Sequence, residues 1–159
     1  MSETVYLRVL IPIVILAFLV FVFIKSNNKW LFDVHKKIFI ENPGIASLDF
    51  FAVYHLSEPP GLFQFLSRKE TGIITFKENM ISFLGYKSQF TPVRLCFPLQ
   101  GFETAWVGKT FGFGRTHWFV FKQGDERHYF SAETGKLFPK NEKESKEIFE
   151  KISRANVKS

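Results

Sequence analysis

Residues 9–24 read VLIPIVILAFLVFVFI, an apolar run without a charged side chain. Taken back to Val5, this segment would form a helix about 30 Å long at about 1.5 Å per residue, which matches the hydrocarbon core of a bilayer. It is apolar all round, whereas the core helix of a globular domain usually keeps a polar stripe. Pro12 falls near the start of the run, where a lipid-embedded helix tolerates it. A cleavable signal peptide would need a basic leader and a small-x-small cleavage site. Here Glu3 precedes Arg8, and the run ends in Phe21, Val22, Phe23, Ile24 and Lys25. The expectation is a retained single-pass anchor over residues 1–24.

The flanking charges orient that anchor. Glu3 and Arg8 precede the run, and Lys25, Lys29, Lys36 and Lys37 follow it against Asp33. Excess Lys and Arg next to a span marks the cytoplasmic side, so the N-terminus is expected outside and the rest of the chain inside. Arg8 can snorkel to the headgroups, and Lys25, Lys29 and Trp30 suit the opposite interface. Residues 25–44 form a juxtamembrane piece in which Trp30, Leu31, Val34 and Ile38 recur at helical spacing. Asn27 or Asn28 would cap its start, and Asn42, Pro43 and Gly44 would end it. Such an amphipathic helix either lies on headgroups or packs on the following domain.

Beyond residue 45 the pattern changes to strands. The segment LDFFAVYHL, residues 48–56, is rich in aromatic and β-branched residues and is stopped by Ser57, Glu58, Pro59, Pro60 and Gly61. Residues 72–76 and 80–84 flank Lys77, Glu78 and Asn79 and predict a hairpin. Further strands are expected at 93–97, where Pro98 follows, and at 102–107. A clear hairpin follows in THWFVFK and RHYFS about Gln123, Gly124, Asp125 and Glu126. The chain closes with a helix over 141–155. Asn141 and Glu144 resemble a capping box there, and Ile148, Phe149 and Ile152 make one apolar stripe. With 21 Phe and 46% hydrophobic residues, the chain is too apolar for disorder. About seven strands and a helix imply a mainly β domain over 45–155, a curled sheet or barrel capped by its terminal helix.

This order resembles the pleckstrin-homology (PH) superfold, and within it the GRAM-like and bacterial PH-like domains. Gly72-Ile73-Ile74-Thr75-Phe76 followed by Met80-Ile81-Ser82-Phe83 is similar to the opening hairpin of that family. Arg94 to Phe102 is similar to its strand-to-turn passage, and His117–Lys122 with Arg127–Phe130 to its last hairpin. The resemblance implies a module that binds lipids, peptides or protein partners, or serves as a scaffold, with no catalytic motif.

Motifs for chemistry are missing. Gly108-Lys109-Thr110 could end a phosphate-binding loop, but Glu103 stands where its first glycine belongs. His117 likewise replaces the third glycine of a dinucleotide fingerprint begun by Gly112 and Gly114. His35, His55, His117 and His128 lack zinc spacing, although His117 and His128 flank one hairpin and could approach each other. Cys96, the only cysteine, permits no internal disulfide and reads as a small core or sheet residue sharing a face with Arg94. No catalytic residue, cofactor or metal is expected, so the chain reads as a non-enzyme. The net charge of +6 comes without a dense basic cluster, which argues against nucleic acid.

The candidate contacts for headgroups or a partner are basic residues beside turns. Lys109 and Arg115 bracket the FGFG turn, whose Phe111 and Phe113 could dip into an interface. The same turn would also serve as a plain turn with inward-packing rings. Arg68 and Lys69 form a second basic pair. The expected role is a membrane-anchored adaptor or accessory subunit meeting a partner protein or anionic headgroups. The alternatives are a passive structural subunit of a membrane complex or an enzyme of unrecognised type.

Overall fold

The computed structural model describes residues 3–60, 70–77, 79–87, 90–109, 116–135 and 141–158. The chain divides into two compact units, Met1–Asp33 and Val34–Ser159. The first helix, α1, runs from Glu3 to Glu41 without interruption. It passes straight through Asn27 and Asn28, so neither starts a helix. Inside a running helix the backbone bonds are already made, and Asn costs only a few tenths of a kcal/mol more than the best formers. In the first unit, Leu10, Ile13, Leu16, Phe18 and Phe21 all expose their side chains. This part of α1 is long and apolar enough to cross a membrane, with a mean hydropathy of 2.4.

The second unit is built on one seven-stranded antiparallel sheet. Asn42 stops α1 through its backbone and side-chain N–H groups, which both donate to the Ile38 carbonyl. A short 3₁₀ turn, Pro43–Ser47, leads into β1 (Phe50–Leu56). Then follow β2 (Glu70–Lys77), β3 (Met80–Tyr86), β4 (Pro92–Pro98), β5 (Glu103–Lys109), β6 (His117–Gln123) and β7 (Glu126–Ala132). The spatial order is β4-β3-β2-β1-β7-β6-β5. Both expected hairpins form: Lys77 pairs with Met80, and Gln123 with Glu126. Gly124 takes a φ of 59°, which the tight β6–β7 turn needs and a glycine adopts without strain.

The sheet is open. β4 and β5 stand at its two ends and do not pair, so the barrel alternative is not realised. Strand alternation gives the sheet two faces. One carries Val53, Ile74, Ile81, Phe83, Phe97, Phe119, Phe121 and Phe130, which form the core with Ile148 and Ile152 of α2 (Glu142–Lys158). The terminal helix thus covers a face at β5, β6 and β7 rather than plugging a barrel end. Fully burying a side chain such as Ile152 is worth about 1.5–3 kcal/mol. Phe149 is only partly buried, between Trp106 and Phe119.

Asn141 does more than begin α2. Its side-chain oxygen accepts from the His117 backbone N–H, and its amide donates to the Ser131 hydroxyl and the Ala132 carbonyl. The expected cap is therefore a clamp that fixes the helix start to β6 and β7. On the opposite face, the last turns of α1 bring His35 to 3.1 Å from Glu133 and Glu41 to the Tyr86 hydroxyl. Cys96 is exposed. It is a sheet residue but not a core one, because β4 turns Val93, Leu95 and Phe97 inward and leaves Arg94 and Cys96 outward.

Candidate functional site

The core face holds an unexpected row of polar side chains. His55 lies opposite Glu70 on β2 and opposite Phe130 on β7. Two residues before Phe130, on the same face, comes His128. Three adjacent strands thereby align Glu70, His55 and His128. Nδ1 of His55 is 2.5 Å from Glu70 Oε2, and Nε2 of His55 is 3.1 Å from Nδ1 of His128. The row continues at both ends: Lys87 Nζ is 2.7 Å from Glu70 Oε1, and Glu126 Oε2 is 3.4 Å from His128 Nε2.

Aromatic rings enclose this row. His55 packs on Phe83 and Phe130, and His128 on Phe97. The ends reach water, since the Glu126 side chain is 80% exposed and that of Lys87 48%, against 3% for His55. Burial opposes ionisation of Glu70, but hydrogen bonds from His55 and Lys87 outweigh it and hold the carboxyl below its ordinary value. Burial, followed by the charge of His55, lowers the pKa of His128. Among the described residues no group of three or more His, Cys, Asp or Glu is arranged to hold a metal ion.

A second feature lies on the other face, an open groove of about 460 Å³ lined by Lys37, Glu41, Tyr86, Phe90, Pro92 and Arg94. Lys37 and Glu41, one helical turn apart, form an ion pair at 2.8 Å. The Tyr86 hydroxyl donates to Glu41. Burial first, and then the Glu41 contact, push the Tyr86 phenol up to about 12, so it remains a donor. Lys37 Nζ stands 5.6 Å from the Tyr86 ring centre and 6.0 Å from that of Phe90, within cation–π range. Phe90 has a φ of 57°, a left-handed conformation uncommon outside glycine and costing about 1–3 kcal/mol. Next to it, the Lys87 N–H donates to the Thr91 carbonyl. Arg94 is exposed, and its charge acts across the groove on Glu41 and Tyr86.

The residues singled out by sequence distribute unevenly. Lys109 is the exposed last residue of β5 and pairs with His117. Phe111, Phe113, Arg115, Arg68 and Lys69 lie outside the described residues. Arg8, Lys25 and Lys29 are exposed on α1, and Trp30 is half-buried there. His128 approaches His55 rather than His117, which instead stacks on Trp106. Neither the polar row nor the groove was foreseen. Alternation puts Glu70 in step with Gly72 and Ile74, and His128 in step with Phe130 and Ala132. That was the available signal, but only strand pairing joins the two to His55. No protein-family model, curated protein or solved structure matches the chain.

Proposed function

We propose that the chain is a single-pass, membrane-anchored binding module whose folded unit is PH-like and meets anionic lipid headgroups. The observation that carries this reading is the groove, where Lys37 and Arg94, two cations against the one carboxylate of Glu41, stand beside the Tyr86 and Phe90 rings. Cation and aromatic together suit an interfacial anion. The tether supports it further, because a surface-bound ligand is met at high effective concentration when the domain shares its chain with a span. Lys25, Lys29, Lys36 and Lys37 add basic charge just past the apolar run. Seven antiparallel strands followed by one amphipathic helix, the order on which the PH-like resemblance rests, support the fold assignment.

Vesicle binding by residues 28–159 tests the headgroup reading. The fragment should prefer anionic over neutral vesicles and lose binding in salt, since screening acts over about 8 Å at physiological ionic strength. Arg94→Glu should weaken binding by about 1 kcal/mol or more, roughly fivefold. The pair Lys109→Glu and Arg115→Glu tests the FGFG turn separately. Equal binding to neutral vesicles would discard headgroups and leave a partner protein as the target. The lysines after the run also support a cytoplasmic folded unit. A reporter active only in the cytoplasm should therefore work when fused after Ser159, and activity of an exterior-only reporter there would reverse the orientation.

A further inference from the structure

The histidine row has a proton count. In the arrangement of the row, His55 Nδ1 donates to Glu70 at 2.5 Å and His128 Nε2 donates to Glu126 at 3.4 Å. Between them, His55 Nε2 and His128 Nδ1 lie 3.1 Å apart and need one hydrogen, since two would clash and none would set two lone pairs together. Three N–H groups on four ring nitrogens are one more than two neutral imidazoles supply.

We infer that His55 and His128 share a single excess proton, and that this proton is what binds the β6–β7 hairpin end to the centre of the sheet.

The charges balance around it. Glu70 from β2, Lys87 from the turn after β3 and Glu126 from the start of β7 are the charged groups facing the pair among the described residues. Two carboxylates, one ammonium and one imidazolium sum to zero. Among the described residues, the aromatic rings packed against the pair are Phe83, Phe97 and Phe130. Removing the proton leaves two donors for three contacts, so one contact must break. Glu70 is buried and also held by Lys87, whereas Glu126 is mostly in water, so the His128–Glu126 contact gives way first. Adding a second proton sets two N–H groups against each other and breaks the His55–His128 contact instead. The device is therefore a clamp closed over one pH interval and loosened on both sides, and its two titrations belong to the pair rather than to either ring.

Ring ¹⁵N NMR of the full chain in detergent micelles, with the four histidines assigned by His→Gln variants, tests this. The expected result is two well-separated titration steps for His55 and His128. Between them the rings should show three N–H groups, with His55 Nδ1 and His128 Nε2 both protonated. Glu126→Gln, an exposed change that the fold tolerates, should move the upper step down by roughly half a pH unit. Two neutral rings throughout the range from pH 6 to 8 would overturn the inference. So would a His128 titration left unchanged by His55→Gln, or an upper step unmoved by Glu126→Gln.

Discussion

Glu70→Ala is expected to destabilise the folded unit by about 3–5 kcal/mol, measured by urea unfolding of residues 28–159. The carboxylate is buried and accepts from both His55 and Lys87. Lys87 is about half exposed and can return to water, but the His55 N–H is left in an aromatic enclosure with no acceptor. Glu70→Gln should recover part of the loss, because its amide oxygen still accepts from His55. A loss below about 1 kcal/mol would show that the row adds little to the core. The pH dependence has a definite sign. Glu70 is held below its ordinary 4.5, so its stabilisation is present above 4.5 and is lost as pH falls through the lower folded value. Burial and the charge of His55 hold His128 below 6.5, so the folded pair resists a second proton that the unfolded chain takes up, and stability begins to fall as pH drops through 6.5. In Glu70→Ala the acid loss below 4.5 should be shallower than in the wild type.

Gly72→Ala should be comparably severe, at about 3 kcal/mol, the upper end of what overpacking costs. Gly72 pairs with Gly85 across β2 and β3. A Cβ at Gly72 would lie 2.2 Å from the Leu84 carbonyl oxygen and 2.5 Å from the Gly85 Cα. Both are backbone atoms, so the strands themselves would have to part. At Gly85 the added carbon would instead meet the Phe83 ring at 2.5 Å and the Thr71 carbonyl oxygen at 2.7 Å. Parting these strands would also move Phe83 away from His55, and so loosen the enclosure of the histidine row. Gly44→Ala is the control, with nothing within 4 Å of the added carbon, and should change stability by less than about 0.5 kcal/mol. Equal melting temperatures for Gly72→Ala and the wild type would mean that the two strands are not held this closely.

The local elements were legible because each is written within a few consecutive residues. The apolar run of 9–24, the breaks at Asn42-Pro43-Gly44, the hairpins about Asn79 and Gly124, and the stripe of Ile148 and Ile152 all became structure at those positions. Local signals also misled where a longer element overrode them. Asn27 and Asn28 have the chemistry of a helix start, but the helix from Glu3 already supplies their backbone partners. Asn141 does mark the start of α2, its carbonyl accepting from the Ser145 N–H, but its side chain goes to Ser131, Ala132 and the His117 backbone.

What the sequence determined by itself was the long apolar N-terminal helix, the strand-rich body and the terminal helix, because periodicity and turn chemistry act over neighbouring residues. Tertiary structure alone decided which strands became edges, and so that the sheet stays open with β4 and β5 unjoined. It also decided both candidate sites. His55, Glu70 and His128 come from three separate stretches, and only the pairing of β1 with β2 and with β7 sets them side by side. The groove likewise joins the end of α1 to Tyr86 of β3, Phe90, and Pro92 and Arg94 of β4. No local pattern records such meetings, because non-local strand pairing, with its own loop-closure cost, is settled by the whole sheet at once.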